Sequence, residues 1–199
     1  MTEQLGLRQR KKLERRRSIE AAALSRFERD GFDATTIDDI AAAADIAPRT
    51  FFSYFPTKED VVLAEYADRL KRTTDELGRR PPTEEPWLAL RESFAVVAAD
   101  YEAERDEIIR RFAIMAVNPS VHARSLQLQA GWEDTVAEVL ALRMGAVAGD
   151  ITPRLMSSAA LACMRSSLRH WMLTGHSVSL PDLVGASFDR LAVGLSAAG

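Results

Sequence analysis

The sequence predicts an all-α protein of about nine helices. Apolar residues recur at three- and four-residue steps through most of the chain, the periodicity of an amphipathic helix. Glycine and proline number only 10 and 8 and cluster where the periodic stretches stop. Alanine and leucine, which lose little on entering a helix, abound. At 199 residues, with 47% hydrophobic and 28% charged, the chain has an ordinary globular balance and room for one large or two small cores.

The first helix is expected from about Lys12 to Asp30, with Ile19, Ala23 and Phe27 on one stripe and Leu24 beside it. Gly31 suits the residue that ends it, and Phe32 then tucks back beneath. Net charge is −3, yet Arg8, Arg10, Lys11, Lys12, Arg15, Arg16 and Arg17 crowd one short run against Glu14 alone. Affinity for phosphates follows the local patch rather than the total, so this run reads as a basic arm toward a nucleic-acid backbone or minor groove.

Next come two short helices joined by a tight turn. Thr36 caps the first, with Asp39 three residues on to return the bond, and Ile37, Ile40 and Ala41 face one side. Asp45 stands where that helix must stop and tolerates the left-handed conformation better than most residues. Pro48 fits the first turn of the second helix, whose Phe51, Phe52 and Phe55 are expected inward and whose Arg49, Thr50, Ser53 and Tyr54 are expected outward. Pro56 ends that helix, and Thr57 caps the next, with Asp60 at its third position. This is a helix-turn-helix, a device for laying a short helix in the major groove.

The run from Thr35-Thr36 through Asp39-Ile40-Ala41 and Pro48-Arg49-Thr50-Phe51-Phe52-Ser53-Tyr54-Phe55 to Lys58-Glu59-Asp60 resembles the DNA-binding domain of TetR-type transcriptional regulators. Asp45 departs from that family's usual turn glycine, and Ala47 stands where a capping Ser or Thr is common. The resemblance implies base contacts from Pro48, Arg49, Thr50, Ser53 and Tyr54, with Arg49 best suited to a bidentate guanine contact. It implies phosphate contacts from Thr36, Tyr54 and Lys58, joined by Arg15, Arg16 and Arg17 of the basic run. The DNA-binding domain is expected over residues 12–72 and a ligand-binding and dimerisation domain over 73–199.

A longer helix is expected from Thr57 to about Gly78, and the Pro-rich stretch 79–86 as a loop. A helix from Trp87 carries Leu90, Phe94, Val97 and Tyr101, and a bend at Glu102 to Asp106 leads into Ile108, Phe112 and Met115. Asn118-Pro119 and Thr152-Pro153 each read as a cap followed by a first helical residue. The helices they open carry Trp132, Val136 and Leu140, and Ala159, Ala162, Cys163, Ser166 and Trp171. A last helix from about Pro181 carries Val184, Phe188, Leu191 and Leu195. In the resembling family such central helices enclose a ligand cavity, which implies Trp87, Phe94, Tyr101, Phe112, Met115, Trp132 and Trp171 as candidates to line it. The last two helices pair with their twins there, which implies Ala159, Ala162, Ser166, Val184, Phe188 and Leu191 for a homodimer interface. The order Arg110-Arg111-Phe112, Asn118-Pro119, Trp132-Glu133, Arg169-His170-Trp171 is similar to the mycofactocin-system regulator subgroup and points to fatty-acyl or other lipid-like effectors.

Other chemistries have no foothold. His122, His170 and His176 are scattered, Cys163 is alone, and no phosphate loop, dinucleotide fingerprint or nucleophile elbow occurs. No cofactor, metal site or catalysis is expected. With no apolar run near ~20 residues and no signal sequence, a soluble cytoplasmic protein is expected. The expected function is a ligand-responsive repressor, its partners palindromic operator DNA, a second copy of itself and a small apolar or amphipathic effector. The alternatives are a non-specific DNA-binding protein or a helical scaffold without effector response.

Overall fold

The computed structural model describes residues 6–194, which form ten helices and no strand. They fall into two compact units: the described part of Met1–Ala64 together with Arg110–Leu126, and Glu65–Ile109 together with the described part of Gln127–Gly199.

In the first unit, α1 (Leu7–Asp30) starts well ahead of the apolar stripe, since the basic run is itself made of good helix formers. It ends at Gly31, whose φ of 88° no other residue type adopts cheaply and whose N–H bonds Phe27 O at 3.1 Å. Phe32 then folds back onto Phe27, ring centroids 4.8 Å apart. Ile19, Ala23, Leu24 and Phe27 of α1 share a core with Ile40 and Ala41 of α2 (Ile37–Ala43), Phe51 of α3 (Pro48–Phe51), Phe55, and Val61 of α4 (Lys58–Val62), all buried.

The single helix expected from Thr57 to Gly78 is broken at Leu63 and Ala64 into α4 and α5 (Glu65–Arg79). The cause is a pair of guanidinium groups that take the carbonyls a continuing helix would use. Arg111 Nη1 donates to Val61 O at 2.7 Å and Val62 O at 3.1 Å, and Arg16 Nη2 donates to Ala64 O at 2.5 Å. Arg111 belongs to α7 (Arg105–Val117) and is 5% exposed, with its other terminal nitrogen 3.1 Å from Glu20. Asn118 closes the end of α7 by bonding Ile114 O at 2.5 Å rather than capping α8 (Pro119–Met144).

The second unit is built on α6 (Pro86–Ala103), whose Leu90, Phe94, Val97 and Ala98 are buried, together with α9 (Thr152–Leu173) and α10 (Leu180–Val193). Trp87 Nε1 donates to Phe188 O at 3.1 Å while the two rings pack 4.7 Å apart, and Arg91 forks onto Asp189 at 2.8 and 3.1 Å. Gly185 leaves room for that guanidinium, since a Cβ there would meet Arg91 Nη2 at 3.0 Å. The start of α10 is capped by Ser179, and Asp150 rather than Thr152 accepts the amide at the start of α9. Leu195 lies outside the described residues.

Replacing Arg111 by Met removes the guanidinium from Glu20 and from the α4 carbonyls. Chemical unfolding followed by circular dichroism is expected to show a loss of about 1–3 kcal/mol, the usual cost of leaving buried acceptors unpaired, because Arg16 still pairs with Glu20 at 3.2 Å. A loss below about 1 kcal/mol would show that the clamp is dispensable.

Candidate nucleic-acid interface

The turn between α2 and α3 has the bonding of a Schellman end. Ile46 N–H bonds Ala41 O at 3.0 Å and Asp45 N–H bonds Ala42 O at 3.4 Å, with Asp45 left-handed at φ 52°. Asp thus fills the conformation that glycine holds more easily. Ala47 begins α3 with no side-chain cap, as its methyl dictates. Only Pro48–Phe51 is fully helical, and tight bonds from Ser53 to Thr50 O and from Tyr54 to Phe51 O carry the turn on to Phe55.

Burial sorts this segment. Phe51 and Phe55 are 0% and 2% exposed, Thr50 and Tyr54 are half-buried, and Pro48, Arg49 and Ser53 face solvent. Phe52, expected inward, is 57% exposed. Its neighbour Phe51 already occupies the core, and consecutive helical residues point about 100° apart, so only one of the two rings can face inward there.

Thr36 is exposed at the start of α2, locked in a full capping box. Its hydroxyl accepts from Asp39 N–H at 3.1 Å, and its own amide and hydroxyl donate to the Asp39 carboxylate at 2.9 and 2.6 Å. These donors, the hydroxyl foremost, hold the Asp39 carboxyl below its usual range. Lys58 turns the other way. Its ammonium donates to Phe32 O at 2.7 Å, Thr35 O at 3.2 Å and Asp33 O at 3.4 Å, and sits 4.4 Å from the centre of the Phe32 ring. Arg16 is likewise engaged with Ala64 O, with Glu20 at 3.2 Å, and over the Phe55 ring at 5.6 Å. Arg15 and Arg17 on either side of it are exposed, as are Arg8, Arg10, Lys11 and Lys12, and none of these six makes an ion pair among the described residues. The basic run is therefore helical, its charges spread around the axis, rather than an extended arm.

The residues expected in a ligand cavity are divided. Phe112 and Met115 belong to the first unit, half-buried. In the second unit Phe94, Tyr101, Trp132 and Trp171 are buried and Trp87 is half-buried. Beside them lies a polar cluster that sequence reasoning missed. Arg69, 5% exposed, bonds Glu65 at 2.5 Å and Glu104 at 2.8 Å and stacks 3.7 Å over the Tyr101 ring. Burial pushes the Tyr101 hydroxyl well above its ordinary range. Tyr66 packs edge-on to Trp132, its hydroxyl bonded to Gln129. The Glu65-x-x-x-Arg69 spacing was the available signal, but such pairs are usually on the surface. Of the expected interface residues, Ser166 is exposed and Ala159, Ala162 and Leu191 are half-buried, whereas Val184 and Phe188 are 0% exposed in the chain's own core. Cys163 is buried, its thiol pushed up to about 11 by desolvation, which leaves it an inert small hydrophobe at neutral pH. Among the described residues no helix is long and apolar enough to cross a membrane.

Residues 19–64 match the family model for bacterial regulatory proteins of the tetR family, and residues 84–196 match that for the MftR C-terminal domain. The mycofactocin biosynthesis transcriptional regulator MftR of Mycobacterium tuberculosis is 30% identical over 177 residues, 89% of each chain. The HTH-type transcriptional regulator TcmR of Streptomyces glaucescens is 31% identical over 175 residues, 84% of this chain and 77% of that one. Among solved structures, FadR of Thermus thermophilus, a TetR-family transcriptional repressor in complex with lauroyl-CoA, superposes with a TM-score of 0.61 at 28% identity, covering 90% of this chain and 94% of that one.

Lys58→Ala is expected to lower the melting temperature and weaken binding to every DNA sequence alike, while the slope of log affinity against log salt stays unchanged. The ammonium holds carbonyls, so no phosphate contact is lost with it. Fluorescence anisotropy titrations at several salt concentrations measure this, and a slope reduced by about one would assign Lys58 to a phosphate instead.

Proposed function

Because the chain belongs to the TetR family of bacterial regulatory proteins, with a C-terminal half of the MftR type, we propose that it is a cytoplasmic homodimeric repressor. It occupies a palindromic operator and leaves it when a small apolar or amphipathic molecule binds. We assign the reading role to residues 12–72 and the effector and dimerisation role to 73–199, a functional division that differs from the compact units, which part after Ala64 and return Arg110–Leu126 to the first. The observation that carries the reading is the outward face of α3 and the turn after it. Pro48, Arg49 and Ser53 stand free in solvent on a segment whose Phe51 and Phe55 are sunk in the core. Arg49 reads a base edge, Thr50 and Ser53 add polar contacts, and Tyr54, Arg15 and Arg17 hold phosphates, while the donors of Thr36 are already committed to Asp39.

A homodimer is supported by α9. Leu155 and Leu173 are 64% and 76% exposed, and with Ala159, Ala162 and Ser166 they recur at three-, four- and seven-residue steps along one side. Small residues between exposed leucines suit close approach of a twin helix. Two-fold pairing also matches half-sites about one helical turn (~34 Å) apart. For the effector, the lauroyl-CoA complex of the Thermus relative supports a long-chain acyl molecule. Within the second unit we assign the buried rings of Phe94, Tyr101 and Trp132 to the acyl chain and the neighbouring polar groups Arg69 and Tyr66 to its polar end.

Sites selected from a randomised duplex pool give the operator, against which variants are compared. Arg49→Ala is expected to relax discrimination at one base position per half-site by about 1–3 kcal/mol. Arg17→Ala is expected to weaken all sequences equally and flatten the salt slope by about one. An Arg49→Ala loss spread evenly over every sequence would return that residue to the backbone.

Lauroyl-CoA tests the effector class. At a hundredfold excess over its dissociation constant it stabilises the protein by about 2.7 kcal/mol, a rise of roughly 5–10 °C in melting temperature for a chain of this size. The same concentration releases the selected DNA. No shift and no release across C8 to C18 acyl chains would remove the acyl class.

A further inference from the structure

Phe52 is the one large apolar side chain that the reading segment turns to solvent. It follows α3 with helical geometry (φ −66°, ψ −12°), so at three residues from Arg49 it stands on the same side as that exposed guanidinium. Its ring is not loose. It meets the buried Phe51 ring edge-on at 87°, centroids 5.5 Å apart, which fixes its direction from the core outward. Pro48 and Ser53, exposed beside it, leave its other side open.

A phenyl ring in this place can neither donate nor accept a hydrogen bond. It cannot hold a phosphate, and it cannot read the donor and acceptor pattern of a base edge. In a major groove one recognition remains to it, apolar contact with the C5-methyl group of thymine. Resting on the reading of the chain as a sequence-specific regulator, we propose that Phe52 recognises a thymine methyl in each half-site, next to the base read by Arg49. The residue pair then specifies a two-base step with one charged and one apolar contact.

The test uses the full chain and a site selected from a randomised duplex pool, with deoxyuridine replacing thymidine one symmetric pair at a time, which removes a methyl and nothing else. Wild-type protein is expected to lose up to about fifteenfold affinity at one such pair, as two buried methyl contacts imply. Phe52→Ala is expected to bind the thymidine site more weakly and to respond less than twofold to the same replacement. Phe52→Leu, which keeps an apolar tip, keeps the response. Melting temperatures of both variants near that of the wild type confirm intact folds, as the exposure of the ring leads one to expect. Absence of any uridine-sensitive pair in the wild type, or undiminished sensitivity in Phe52→Ala, overturns the proposal while leaving the regulator reading intact. Failure to enrich any sequence from the pool overturns both.

Discussion

A helix of four residues has no stability of its own. Nucleating one turn fixes about six dihedral angles for a single hydrogen bond, and α3, Pro48–Phe51, has one turn. What holds it is the burial of Phe51, its last residue, and of Phe55 four residues on, each contributing about 1.5–3 kcal/mol. Prolines at 48 and 56 bound the segment by removing the donors that would extend it. The outward directions of Arg49, Phe52 and Ser53 follow from those two anchors by helix geometry alone. Any substitution that loosens Phe51 or Phe55 therefore disturbs the reading surface before it unfolds the unit.

The first unit uses its basic residues in two ways that look alike in sequence. Lys58, Arg16 and Arg111 point into the structure, each donating to backbone carbonyls where an element ends. Carbonyls at such ends lack the full set of partners that a helix interior provides, and a cation meets that need with both hydrogen bonds and charge. Arg8, Lys12, Arg15 and Arg17 point outward and keep their charge available to a partner. The division follows neighbours: Lys58 lies over Phe32, Arg16 over Phe55, and Arg111 beside Glu20. Net charge or local charge density cannot separate the two groups.

That distinction marks where sequence reasoning works. The capping box of Thr36 and Asp39, the left-handed Asp45, the Gly31 end with Phe32 beneath it and the all-helical architecture were all legible, because each signal and its structural answer lie within about one helical turn. The break between α4 and α5 was not, since the donors that cause it come from Arg16 and Arg111, far away in the chain. Lys58 looked like a phosphate ligand because its three acceptor carbonyls lie more than twenty residues upstream. Val184 and Phe188 resembled an interface stripe, and only the position of Trp87 and Phe94 shows that α6 covers them. Phe52 was misplaced for a simpler reason: hydrophobicity predicts burial only on average, and an exposed aromatic is the informative exception.

On the proposed reading, the outward face of α3 also favours assembly in pairs. A specific site is typically about 4–10 kcal/mol better than non-specific DNA. One bidentate pair supplies about 1–3 kcal/mol of discrimination, and a methyl contact about 0.8 kcal/mol. A single copy in which Arg49, Phe52 and one hydroxyl read bases as proposed therefore reaches roughly 2–5 kcal/mol, the bottom of that range. Two copies on a palindrome roughly double it, into the range of working regulators, provided both heads engage at once. The same arithmetic gives the proposed effector its leverage. It need not break any base contact; preventing the second head from engaging removes about half the discrimination and the avidity with it. To do so it must bind the non-fitting arrangement better than the fitting one by a few kcal/mol, well within reach of one buried acyl chain at about 0.8 kcal/mol per methylene.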